Sequence, residues 1–204
     1  MKECRLEGVG RKGNLLLSWG LFLVPFLVFL YIFMPSIAMG YVFNRIVHFS
    51  GNGALPMNLL VFLLGFILFF KVYDSFLKHY YGEDSFSLIN LFFRGAMSSF
   101  STLELQEDRA IQRFDNRTVQ VNLRKGELLW IMAIVPLIVL RDREGNVIPF
   151  LTLSFGRGGK RRFLECLSLA TGIDEEQLNF RYFRDFLFRG MKYSKSIDLS
   201  RKFY

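Results

Sequence analysis

The sequence predicts an α+β membrane protein, with an N-terminal two-helix transmembrane hairpin followed by an antiparallel β-domain and C-terminal helices. Two observations carry this. Gly13 to Asn44, 32 consecutive residues, hold no charged side chain, and after Arg45 the 25 residues from Ile46 to Phe70 hold none either. A helix needs about 20 apolar residues to cross a hydrocarbon core of roughly 30 Å. Beyond Tyr81 the composition changes: residues 82–204 carry 19 Lys/Arg against 15 Asp/Glu, and apolar residues fall into short runs. That balance suits a wetted surface.

The expected divisions are a cytoplasmic N-terminal segment (1–14), the transmembrane hairpin (15–80), a juxtamembrane connector (81–100), a β-domain with a capping helix (101–173), and an amphipathic helix with a basic-aromatic tail (174–204). The two apolar runs lack the strict alternation of barrel strands. Stretches such as Leu21–Met34 and Leu59–Phe70 have no polar face, and a chain of 204 residues has little with which to bury them in a soluble core. A cleaved signal peptide is disfavoured because the first run exceeds the usual 7–15-residue apolar region and a second run follows it. Pro25 and Pro35 should kink or tilt the first span, since proline removes a backbone donor.

Lys2, Arg5, Arg11 and Lys12 flank the first run, and Lys71 and Lys78 follow the second, whereas the connecting Ser50-Gly51-Asn52-Gly53 turn has only Arg45 near it. Cytoplasmic loops carry the excess of Lys and Arg. Both termini are therefore expected in the cytoplasm. Trp19, Tyr31, Tyr41, Tyr73, Tyr80 and Tyr81 are candidates for the interfacial belt.

Residues 86–100 read as a transitional segment along the membrane face. Thr102–Gln106, Ala110–Phe114 and Thr118–Leu123 then alternate apolar with polar, as half-buried strands do. Leu128–Leu140 is too short to span a bilayer, and Pro136 divides it into strands Leu129–Val135 and Leu137–Arg141. The second piece enters a hairpin through Asp142-Arg143-Glu144-Gly145-Asn146, where Gly145 can take positive φ. Lys160–Thr171 has Phe163, Leu164, Leu167 and Ala170 on one helical face, with Gly172 as the stop. Asp174 with Gln177 resembles a capping box for a second helix reaching about Arg189.

The meander Thr102–Leu123, the hairpin around Val135-Pro-Leu-Ile-Val-Leu-Arg-Asp-Arg-Glu-Gly-Asn-Val-Ile-Pro149 and the Lys160-Arg-Arg-Phe-Leu-Glu-Cys-Leu167 helix together resemble membrane-anchored bacterial pleckstrin-homology-like (PH-like) proteins. The resemblance covers roughly residues 100–172 and is one of pattern, without a diagnostic motif. It implies a partly open β-barrel capped by its helix, in the bacterial inner (plasma) membrane, used for docking rather than catalysis. The very apolar Leu128–Leu140 run and the second aromatic helix depart from that pattern.

No catalytic, cofactor-binding or metal-binding residue is expected. His48 and His79 sit at opposite ends of the second run, and Cys4 and Cys166 lack the close-spaced Cys or His neighbours of a zinc site. On a cytoplasmic side these thiols stay reduced, and Cys166 reads as packing. Gly156-Arg157-Gly158-Gly159-Lys160-Arg161-Arg162 fails as a phosphate loop, having Ser154 and Arg161 where glycine and Ser/Thr are required. The surviving reading is contact with anionic lipid headgroups or a protein partner through Arg157, Lys160, Arg161, Arg162, Arg181 and Arg184. A solvated turn is the bland alternative. The tail mixes seven Lys/Arg with aromatic rings, which suits nucleic acid or a membrane interface. Tethering favours the membrane, and no nucleic-acid partner is expected. The net charge of +8 divides evenly, +4 in residues 1–80 and +4 beyond. A second functional reading makes the chain an accessory subunit of a transport or secretion complex, recognised through its hairpin, where Ser36-xxx-Gly40 is the one small-residue pair available.

Overall fold

The computed structural model describes residues 4–50, 54–133, 135–180 and 193–200. The chain is α+β and separates into two compact units, Phe26–Ile89 and a second built from Met1–Pro25 with Asn90–Tyr204.

The helical unit follows from the apolar runs. Strand β1 (Cys4–Glu7) and α1 (Leu15–Leu21) precede it and belong to the other unit; α2 (Leu23–Ile46) and α3 (Ala54–Tyr81) follow. The stretches Leu15–Ile46 and Ala54–Tyr81 are long and apolar enough to cross a membrane. The break at Phe22, between α1 and α2, has a cause in Pro25, which has no N–H to offer the carbonyl of Leu21. At the third position of α2 that proline costs the helix itself nothing, because first-turn N–H groups are unpaired anyway. Pro35 sits inside α2 and leaves the Tyr31 carbonyl without its helical donor. The Tyr73 hydroxyl of α3 donates to that carbonyl at 3.4 Å. The bend-prone point is thus tied to the neighbouring helix.

Gly40 and Gly65 allow the two helices to approach. A Cβ on Gly40 would lie 2.9 Å from the Phe62 carbonyl oxygen, and one on Gly65 would lie 2.7 Å from Phe43 Cβ. Asn58 closes the top of the hairpin: its Oδ1 accepts from Phe49 N–H at 2.9 Å, and its Nδ2 donates to the Phe49 carbonyl at 3.2 Å. Gly51, Asn52 and Gly53 of the expected turn lie outside the described residues. Helix α4 (Ser85–Met97) is capped by Asp84, whose Oδ1 accepts from Ser87 N–H at 2.8 Å. Asp74 of α3 accepts from Ser85 N–H at 2.7 Å.

The β-unit holds two four-stranded antiparallel sheets, in the orders β1-β2-β3-β4 and β7-β6-β5-β8. The strands are β2 (Thr102–Leu105), β3 (Arg109–Arg113), β4 (Thr118–Asn122), β5 (Gly126–Ile131), β6 (Leu137–Asp142), β7 (Val147–Leu151) and β8 (Ser194–Asp198). The expected meander and hairpin are present with small shifts in their ends. In the first sheet Leu6 pairs with Leu103, and Leu105 with Ala110, which faces Val121. These residues line one face toward the core, while Arg5, Glu104, Arg113 and Gln120 project from the other. In the second sheet Leu128, Leu140 and Ile148 stand in one cross-strand row and Trp130, Ile138 and Phe150 in the next. Helix α5 (Gly159–Thr171) adds Phe163, Leu164 and Leu167 to the same core.

Two differences from expectation stand out. The helix expected from Asp174 to about Arg189 begins as one turn, α6 (Glu175–Leu178), and is interrupted at Asn179, which is extended (φ −77°, ψ 143°); its expected continuation from Arg181 to Arg189 lies outside the described residues. Trp130 Nε1 donates to the Leu178 carbonyl at 2.9 Å, so a group that a longer helix would use internally is used by the sheet instead. The other difference is that strands were not expected at the two ends. Cys4–Glu7 forms β1 on the edge of the first sheet, and Ser194–Asp198 forms β8 beside β5.

Candidate docking surface

The basic turn is shaped by glycine. Gly156 (φ +83°) and Gly158 (φ +79°) take conformations that side-chain-bearing residues rarely adopt, and they redirect the chain from the loop after β7 into α5. The turn is therefore fixed in course, and its cations point to different tasks. Lys160 Nζ lies 5.0 Å from the centroid of the Trp130 ring. Its stem covers the mouth of the core, and burial pushes its pKa down. Arg161 Nε donates to Glu165 one turn on at 2.7 Å. Arg157 and Arg162 are exposed and form no ion pair with any described residue. Arg181 and Arg184 lie outside the described residues. Of the six cations expected to make contact, two are thus committed to the protein's own surface and two are presented outward.

Among the described residues, two open clefts can be traced on the β-unit. One of 830 Å³ is lined by Cys4, Leu105, Asp108, Arg109, Arg124 and Leu169, among others. The other, of 410 Å³, lies between β4 and the β6–β7 turn and includes Gln120, Asp142, Glu144 and Asn146. Asp142 is the anchor of that turn. Its carboxylate accepts from the N–H groups of Glu144 and Asn146 at 3.0 Å, from Asn146 Nδ2 at 3.0 Å, and from Asn122 N–H at 3.2 Å. Burial pushes its pKa up, but these donors outweigh burial and hold the carboxyl below its ordinary value.

Cys4 and Cys166, expected as reduced thiols with Cys166 a packing residue, are paired. They are joined as a disulfide between β1 and α5, with Cα atoms 5.8 Å apart and a separation of 162 positions in sequence. The pairing of β1 with β2 carries Cys4 over α5. Sequence reasoning missed it because β1 itself was missed; the one signal was the short alternation Cys4-Arg5-Leu6-Glu7. Among the described residues no group of three or more His, Cys, Asp and Glu side chains is arranged to hold a metal ion. In the helical unit, Gly40 of the Ser36-xxx-Gly40 pair faces α3 of the same chain, against Phe62 and Gly65.

Comparison of the chain with protein-family models, with curated proteins and with solved structures finds no match.

Proposed function

We propose that this chain is a non-catalytic docking protein of the bacterial inner membrane, whose helical hairpin anchors a PH-like domain that contacts a protein partner or anionic headgroups. The observation that carries the membrane arrangement is the pairing of β1 with β2. The strand before the two apolar helices hydrogen-bonds along its length to the strand after them. If the helices cross a bilayer, the chain must come back to the side from which it left, so two crossings satisfy the fold and one does not. The Lys and Arg residues at both flanks favour the cytoplasmic side.

The PH-like reading is supported by the element order. Four strands form one antiparallel sheet, the next three belong to a second, and a helix then joins the shared core. Strand β8 is an addition to that plan. Tethering confines the domain to two dimensions, so weak contacts suffice for docking. The outward pair Arg157 and Arg162 supplies such a contact, and each cation near an anionic surface adds about 1 kcal/mol. Lys160 and Arg161 have tasks in the fold and are poor targets for mutation.

The test is Arg157→Glu combined with Arg162→Glu in the full-length chain, followed by co-purification from detergent-solubilised native membranes and by binding of the detergent-solubilised chain to vesicles with and without phosphatidylglycerol. Loss of either contact, with insertion retained, is expected. Unchanged binding in both assays rejects this surface. Alkylation of thiols in the same membranes decides the side, since a Cys4–Cys166 bridge persists in an oxidising compartment and reduced thiols belong to the cytoplasm.

A further inference from the structure

We infer that α1 is an interfacial seat, lying in the headgroup layer and holding the β-unit directly on the bilayer surface rather than at the end of a tether. This rests on the membrane reading above. The first apolar stretch, Leu15–Ile46, is 32 residues long. Helix α2 alone has 24 of them, about 36 Å at 1.5 Å per residue, which already exceeds the hydrocarbon core. Crossing the bilayer leaves α1 without a task.

Helix α1 is bound into the β-unit along one side. Asn14 caps it, accepting from Leu17 N–H at 3.1 Å, and Ser18 and Leu21 are buried. Trp19 packs 6.4 Å from the Phe100 ring, and Phe22 packs 5.9 Å from Phe93. Arg11, just before it, donates to the Phe100 carbonyl, to Thr102 Oγ1 and to Asp115. The helix cannot roll to hide its other face. That face is apolar and bare: Leu15 is 54 % exposed, Leu16 88 % and Trp19 65 %, and Leu23 at the start of α2 (63 %) and Phe93 (51 %) are exposed as well.

A contiguous exposed apolar patch on a soluble surface marks an interaction site. Its occupant here is lipid, because the face runs without a polar break into α2, and because exposed Lys12 stands next to it with a cation for the headgroups. Tryptophan with leucine on one face and a lysine at the edge is the composition of a helix lying in the interface plane. Arg157 and Arg162, at the turn into α5 and in its first turn, are not part of this face.

The chain contains two tryptophans, and Trp130 is buried in the core. The difference between wild-type emission and that of Trp19→Phe therefore reports Trp19 alone. The full-length protein is reconstituted into phosphatidylcholine vesicles containing phosphatidylglycerol, with bromine placed either high on the acyl chains or near their ends. The Trp19 component is expected to lose most of its intensity to the shallow bromines, less to the deep ones, and little to acrylamide in the water. Trp130 serves as the internal standard that the variant is folded. Quenching by acrylamide and not by bromine, with α2 and α3 protected from protease, overturns the seat and leaves the anchor standing. Helices cleaved by protease overturn the membrane reading and the seat together.

Discussion

The two sheets of the β-unit differ in how many of their faces are dry. In the first, one face packs on the core and the other carries Arg5, Glu104, Arg113 and Gln120. In the second, the core face holds Trp130, Ile138 and Phe150, yet Leu129, Val139, Ile131, Leu137 and Leu151 on the opposite face are also buried. Part of the cover is α4, since a Cβ on Gly95 would lie 2.5 Å from Leu137 Cδ1 and 3.6 Å from Leu151 Cγ. Arg94 fixes that helix by donating to the Val147 carbonyl at 2.7 Å. A sheet wetted on one side writes an alternating sequence, and a sheet covered on both sides writes a continuous apolar run. The run Leu128–Leu140, which departs from a simple half-exposed strand, is the signature of the second kind.

The largest expected effect comes from removing apolar bulk on the covered outer face. Leu137→Ala should destabilise the full-length protein in detergent by about 2–5 kcal/mol, whereas Val119→Ala at the half-exposed edge of the first sheet should cost about 0.5 kcal/mol. Equal losses in urea or thermal unfolding would break the comparison. Next in size is Gly95→Val, which places a side chain where α4 meets Leu137; overpacking of this kind costs about 1–3 kcal/mol. A neutral result would mean that α4 is not the cover. The smallest effect is a pH dependence at Asp142, which holds the β6–β7 turn and also accepts from Asn122 at the end of the first sheet. Its carboxyl titrates below the ordinary range when folded, so its contribution is present above that range and is lost as pH falls through the depressed value. Asp142→Asn should flatten that acid limb of the stability profile; an unaltered limb assigns it to other carboxylates.

The same contrast sets what could be read from the residues. The apolar helices, the meander Thr102–Leu123, the Asp142–Asn146 turn and α5 are each specified by neighbours in sequence, through periodicity, a turn residue or a glycine stop. Strands β1 and β8 are not. Cys4-Arg5-Leu6-Glu7 and Ser194-Lys195-Ser196-Ile197-Asp198 hold too few apolar residues to announce a strand, and both are held by partners far away. Lys195 of β8 is even buried, with its ammonium donating to the Asn179 carbonyl at 2.9 Å. The basic turn was legible as a turn, but not the use of its side chains. Lys160 lies on Trp130, and no local pattern connects a helix N-terminus to a ring on a strand.

Strand β1 has a consequence for how the protein is made. It leaves the ribosome before its partner β2, which follows only after both apolar helices, and the Arg11–Phe100 bond beside it spans 89 positions in sequence. On the membrane reading, the first sheet cannot be completed until the second helix has returned the chain to its starting side. A molecule that inserts one helix and not the other strands Cys4–Glu7 across the bilayer, leaving the β2 edge bare and open to proteases and chaperones. Folding of the β-unit then acts as an inspection step for insertion, carried out by the molecule on itself.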